Sequence, residues 1–313
     1  MIEKEISIES SGASLSGTLS LPTLEGSFPL VLMIHGSGPL DRNENTDGQK
    51  LDIFNAIAHA LVASGIASVR YDKRGCFKST GNYYCSSHRD FVADAVRWVE
   101  ELHQSDFCCE NGLYVLGHSE GTVIAPQVYS ETTAVAGLIF LCPLVSDFES
   151  ILLRQARQLD KENASSGGWK SFAHGAMCAI NRSNISRQIA LIKTIKNNDA
   201  NTIQIRGQTI AAKWCRDMLD LDLKAIYRKV TCPALLIGGG KDLQCDSRDV
   251  FKIEELCAGP VRVKVFPDLT HILRFDDQAP ALTRYQKLIA KPVENEVVET
   301  IVRWIQCRRA LKC

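Results

Sequence analysis

The chain has 313 residues, of which 45% are hydrophobic and 23% charged, with 36 basic side chains balancing 36 acidic ones. That balance gives no electrostatic footprint for nucleic acid, and no apolar run is long enough to span a membrane. The N-terminal stretch MIEKEISIES carries acidic residues and no apolar segment of the secretory type, so a cytoplasmic protein is expected. Twelve cysteines contain no C-x-x-C pair and several flank apolar runs, so they read as small core residues of a reducing compartment, without disulfides or a metal site.

In chain order, EISIES and ASLSGTLSLP read as an opening β-hairpin, and FPLVLMIHGSG as a buried strand ending in glycine. LDIFNAIAHALVASG has helical apolar spacing and a glycine stop; IASVRYDKRG is the next strand and HRDFVADAVRWVEELHQ an amphipathic helix. GLYVLGHS is a strand, EGTVIAPQVYS a helix, and AVAGLIFLCP another buried strand. Apolar strands alternating with amphipathic helices predict an α/β fold with a mostly parallel central sheet flanked by helices.

The rhythm breaks near Asp147. Residues 147–227 look helical and polar with no strong strand, and form a predicted insertion between core segments 1–146 and 228–313. Strands return with CPALLIGGGKD and VRVKVFPDLTH, and ENEVVETIVRWIQCRR closes the chain as a helix. Fourteen basic against six acidic residues fall between Ser150 and Val230. That bias is expected to lie on solvated helix faces; lining a pocket, it would favour an anionic ester such as an acyl-CoA. The apolar residues Ile151, Leu152, Phe172, Met177 and Trp214 are expected to build the insertion's own small core or to cover a substrate.

Gly117-His118-Ser119-Glu120-Gly121 fits G-x-S-x-G between a strand and a helix. Such a turn holds a serine hydroxyl exposed on strained backbone, and the glycines answer crowding by neighbouring main chain. The base and acid must then follow in the order acid, histidine. Asp242 and His271 each stand just past a strand, where open α/β sheets build their sites. Asp246 and Asp147 are the alternative acids; His174, in the insertion, has no strand before it. The oxyanion hole is expected from the backbone N–H groups of Glu120 and of Ser37, or Gly38 in place of Ser37. His35, Gly36 and His118 are the expected substrate contacts, with His35 bracing its loop rather than moving protons. In DRNEN, a solvated loop held by Asp41–Arg42 bonds is expected, with a contact to substrate as the alternative, and in YDKRG, Asp72 and Arg74 tie loops together. No G-x-G-x-x-G follows the first core strand and GGGKD lacks Walker spacing, so no nucleotide cofactor is expected.

HGSGP, RYDKRG, GHSEG, GGGKD and LTH, in that order, resemble the α/β-hydrolase superfamily, and more narrowly bacterial serine esterases labelled prolyl-oligopeptidase-like. The resemblance implies an α/β-hydrolase fold with a helical cap insertion, a Ser119–Asp242–His271 triad and no cofactor. It implies a carboxylesterase acting on small-molecule esters of small to medium acyl groups. An acyl-CoA thioesterase or small peptidase would use the same residues, and a ligand-binding protein on a hydrolase fold is the reading from outside enzymology.

Overall fold

The computed structural model describes residues 1–165 and 183–310, with side chains for 1–164 and 183–308. Strands β1 (Ile2–Ser10) and β2 (Ala13–Leu21) form the expected hairpin. Its two-residue turn, Ser11–Gly12, has positive φ at both positions (44° and 77°), the twist-compatible turn of tight hairpins. Six further strands join them: β3 (Phe28–Ile34), β4 (Ala67–Tyr71), β5 (Cys108–His118), β6 (Gly137–Leu141), β9 (Ala234–Gly239) and β10 (Val261–Phe266). The sheet order is β1-β2-β4-β3-β5-β6-β9-β10, antiparallel in β1–β2 and β2–β4 and parallel elsewhere.

Alternation along the strands builds two cores. Leu30, Leu32 and Ile34 of β3 pack on one face with Trp98 of α2 (His88–His103) and Val123 of α3 (Gly121–Glu131). Val31 and Met33 pack on the other face with Phe54 and Ile57 of α1 (Ile53–Ala63) and the C-terminal helix Asn295–Ala310. A strand buried on both faces must be apolar throughout, as β3, β6 and β9 are. Helix α2 starts on a capping box: the Ser87 hydroxyl accepts the Asp90 N–H at 3.1 Å, and Asp90 accepts the Ser87 N–H at 2.7 Å.

Between β6 and β9 the chain runs through α4 (Phe148–Ser165), α5 (Asn184–Lys196), α6 (Ala212–Asp220) and α7 (Leu223–Arg228). It also holds a hairpin absent from the sequence reading, β7 (Thr202–Ile205) with β8 (Gln208–Ala211). Strands of four residues are too short to display alternation, and the turn is Arg206–Gly207, both at positive φ, rather than Asn-Gly or Asp-Gly. Phe172, His174 and Met177 lie outside the described residues. The core continues through α8 (Asp249–Leu256), the short α9 (Tyr285–Leu288) and the C-terminal α10 (Asn295–Ala310). Ten described cysteines are all free thiols. No helix among the described residues is long and apolar enough to cross a membrane.

Candidate active site

Ser119 sits between the end of β5 and the start of α3 with φ at 52°, a left-handed conformation costly for serine. Its N–H donates to the Leu141 carbonyl of β6 at 3.0 Å, which fixes the turn to the sheet. The flanking glycines are sterically required. A Cβ on Gly117 would run into the Gly121 carbonyl, and one on Gly121 into the Ile34 carbonyl.

Asp242 follows β9 and His271 follows β10. His271 Nδ1 and Asp242 Oδ2 are 2.8 Å apart, and the Asp242 side chain is 1% exposed. The other Asp242 oxygen accepts the N–H groups of Gln244 (2.7 Å) and Cys245 (2.8 Å). Burial alone would raise this carboxyl's pKa, but His271 and the two N–H donors outweigh it and hold the value below the ordinary range. With Nδ1 engaged, Nε2 is the ring nitrogen left for proton exchange, and His271 and Ser119 line the same cavity. The alternative acids are occupied elsewhere: Asp246 pairs with Arg248 at 2.6 Å, and Asp147 accepts the Ser150 N–H at 2.8 Å at the start of α4.

The turn after β3 passes close above the serine; a Cβ on Gly36 would lie 3.3 Å from that of Ser119. Ser37 is exposed and borders the cavity. Gly36 and His118, two of the expected substrate contacts, also border it. His35 does not. It is fully buried, and its Nε2 bonds the Tyr71 carbonyl of β4. Burial, with the Lys73 charge adding to it, lowers its pKa to about 4, so His35 is a neutral brace.

The side chains flanking Ser119 are engaged in ion pairs that the sequence reading did not contain. His118 Nδ1 contacts both Glu44 oxygens (2.8 and 3.0 Å), and its Nε2 faces the His271 carbonyl at 2.9 Å. Both partners are acceptors, so both ring nitrogens carry protons. Burial opposes that charge, but Glu44 overcomes it and raises the His118 pKa. Glu120 accepts from Lys73 Nζ at 2.9 Å and from the Trp214 indole of α6 at 2.5 Å. Against its burial, Lys73 and His88 bring its pKa down to about 2. Both flanking acids and bases are thus committed to partners.

The DRNEN loop is folded inward rather than solvated. Arg42 does not bond Asp41; its guanidinium bonds Asp72 through Nε (3.1 Å) and Nη2 (2.7 Å). Asp41 instead accepts the N–H groups of Asn43 and Asn45. An aspartate two residues ahead of a free N–H closes a local turn more readily than it reaches an adjacent arginine. Asp72 and Arg74 do tie loops together, each to its own partner: Arg74 Nε bonds Asp94 at 2.9 Å.

The cavity above Ser119 measures about 500 Å³. Its wall is mostly apolar, with Leu40, Leu144, Ile151, Leu152, Ile195 and Trp214 among the contributors. Ile151, Leu152 and Trp214 therefore face substrate space, and Ile151 and Trp214 belong also to a buried core. Among the described residues, no lysine or arginine contributes to the wall, and its only carboxylates are the paired Glu44 and Glu120. Cys245 borders the cavity beside the Ser119 hydroxyl; burial pushes its thiol pKa well above the ordinary value, so it is an inert thiol.

A strand-borne serine on an elbow, with a buried histidine–aspartate pair beside it, defines a serine hydrolase on the α/β-hydrolase fold. The chain belongs to the family described as serine aminopeptidase, S33 (Hydrolase_4), whose model matches residues 48–278. That span includes Ser119, Asp242 and His271 and begins after the Gly36–Ser37 turn. The esterase EstD of Thermotoga maritima is 26% identical over 306 residues, covering 97% of this chain and 67% of that protein. Est1E of Butyrivibrio proteoclasticus, solved with ferulic acid, superposes with a TM-score of 0.65 at 17% identity, covering 97% and 99% of the two chains. The Pyrococcus furiosus esterase Pf2001 gives 0.59 at 16% identity, covering 97% and 92%.

Proposed function

We propose that the protein is a carboxylesterase hydrolysing neutral esters of small to medium acyl groups through an acyl-enzyme on Ser119. The observation that carries this reading is an apolar cavity, open onto Ser119 and His271, whose only two carboxylates among the described residues are both paired. An aminopeptidase has to hold the substrate's ammonium group, and neither Glu44 nor Glu120 is free to do so. The absence of lysine and arginine from the described wall likewise disfavours an anionic acyl or alcohol group inside it. EstD and Pf2001 are named as esterases, which supports the same choice.

In this mechanism Ser119 Oγ attacks the ester carbonyl carbon while His271 Nε2 takes its proton. The carbonyl oxygen becomes an oxyanion and accepts the N–H groups of Ser37 and Glu120. Gly38 is the less suited donor, since its backbone lies against the Tyr83 hydroxyl. Asp242 holds the imidazole by Nδ1 and stabilises its charged form. The alcohol leaves with the proton from His271. Water, activated by the same nitrogen, then attacks the acyl-enzyme and releases the acid.

Residues 147–227 act as a cap: α4 and α6 supply apolar wall, and Trp214 anchors the segment to the elbow through Glu120. No cofactor enters this scheme. A cytoplasmic setting fits the ten free thiols among the described residues. Side-by-side assays with p-nitrophenyl esters, acyl-CoAs and aminoacyl p-nitroanilides test the reading. Esters are expected to have the highest kcat/KM. A preference for the anilides would make the protein a peptidase instead.

A further inference from the structure

The ion pair of Glu44 and His118 takes no part in the chemistry above, yet it touches three parts of the machinery. His118 is the residue before the nucleophile. Its Nδ1 donates to Glu44 at 2.8 Å, and its Nε2 donates to the main-chain carbonyl of His271 at 2.9 Å. Glu44 also accepts the N–H of Gly36 at 2.7 Å, one residue ahead of the oxyanion donor Ser37. A single buried pair therefore bonds the elbow to the loop of the base and to the loop of the oxyanion hole. Side-chain exposure is 5% for His118 and 2% for Glu44, so neither charge is relieved by water. Glu44 adopts φ of 65°, a conformation unfavourable for glutamate, and its N–H is held by the Asp41 carbonyl at 3.0 Å.

Acyl transfer needs nucleophile, base and oxyanion donor fixed to fractions of an ångström. Apart from this pair, Lys73 is a direct link to the oxyanion turn, donating to the Gly36 carbonyl at 2.8 Å. We propose that Glu44 and His118 are positioning residues for ester hydrolysis, clasping the His271 loop and the Gly36–Ser37 turn against the nucleophile elbow. This rests on the assignment of Ser119, His271 and Asp242 as the reacting groups.

Glu44→Gln tests it with little change of shape. The amide oxygen can still accept from Gly36, but the charge that keeps His118 doubly protonated is gone, and a neutral imidazole has only one N–H to give. The clasp then loses or weakens one link. With concentrations normalised by titrating Ser119 with a fluorophosphonate, kcat is expected to fall roughly tenfold to a hundredfold. KM is expected to stay within about threefold, since the amide keeps the shape that Glu44 gives the cavity wall. His118→Gln is expected to behave alike, and the double variant to be no slower than the slower single, because the two act as one unit. A Glu44→Gln enzyme with a lowered melting temperature but wild-type kcat per titrated serine would overturn the proposal. Multiplying effects in the double variant would overturn it too. If His118→Gln does not fold, the kcat of Glu44→Gln decides. A wild type that neither hydrolyses esters nor labels would overturn the esterase reading itself, whereas an active wild type with an unimpaired Glu44→Gln overturns the clasp alone.

Discussion

The indole N–H of Trp214 donates to the carboxylate of Glu120 at 2.5 Å, so a helix that walls the cavity is hydrogen-bonded to the residue that follows Ser119. The Phe148 ring packs edge-on against Trp214 at 5.5 Å, adding α4 to the same contact. Trp214→Phe keeps an aromatic wall and removes the donor. Hydrogen bonds to charged groups contribute about 1.5–3 kcal/mol, and Glu120 retains Lys73, so a stability loss within that range is expected by denaturant titration. KM is expected to rise with kcat little changed, because the wall loosens while the reacting groups stay in place. An unchanged melting curve and KM would mean the bond does not anchor α6.

The acid is tested by a pair of variants. Asp242→Asn leaves the shape of the site but presents an amide to His271 Nδ1, and is expected to lower kcat by about 10³–10⁴. Asp246→Asn disturbs only the pair with Arg248 and the more distant Arg154, and is expected to be near neutral in steady-state kinetics. The reverse pattern would move the acid to Asp246.

Stability should pass through a maximum near neutral pH. The buried carboxylates Glu44, Asp242 and Glu120 all have folded pKa values below their unfolded ones, for Glu120 at about 2. Their contribution is present above the unfolded carboxyl pKa of about 4 and is lost as pH falls through the folded values. His35, lowered to about 4, adds to the acid limb, since the unfolded imidazole binds its proton from about pH 6.5 downward. His118 acts in the opposite direction. Its pKa is raised, so its contribution is complete below about 6.5 and is lost as pH rises through the folded value. Thermal melts from pH 3 to 8.5 are expected to peak near about pH 6.5. A melting temperature still climbing at pH 8.5 would show that His118 is not held as a cation.

Lys73 and Glu120 form a pair exposed by only 3% and 1%. Lys73→Met strands a buried carboxylate and is expected to cost about 3–5 kcal/mol in chemical denaturation. A cost under about 1 kcal/mol would indicate a solvated pair.

Much of this arrangement was legible in the sequence because its signals are local. The apolar strands, the glycines bracketing Ser119, and the placement of Asp242 and His271 after successive strands all follow from short-range pattern and chain order. The ion pairs around the elbow were not legible. Glu44 lies 74 positions from His118, and Lys73 lies 47 from Glu120, and no periodicity links them. The DRNEN loop is polar enough to be read as solvated, yet Arg42 and Glu44 are buried in pairs supplied by other segments. His35 illustrates the converse: a histidine beside the Gly36–Ser37 turn suggested substrate contact, but strand alternation turns it into the core, where the Tyr71 carbonyl accepts its N–H.

The most direct measurement is the site of covalent modification. Intact protein incubated with a fluorophosphonate, digested and mapped by mass spectrometry, is expected to carry one adduct, on the peptide containing Ser119, with ester hydrolysis lost in proportion. Hydrolysis that persists in fully labelled protein, or in purified Ser119→Ala, would contradict an acyl-enzyme at this serine.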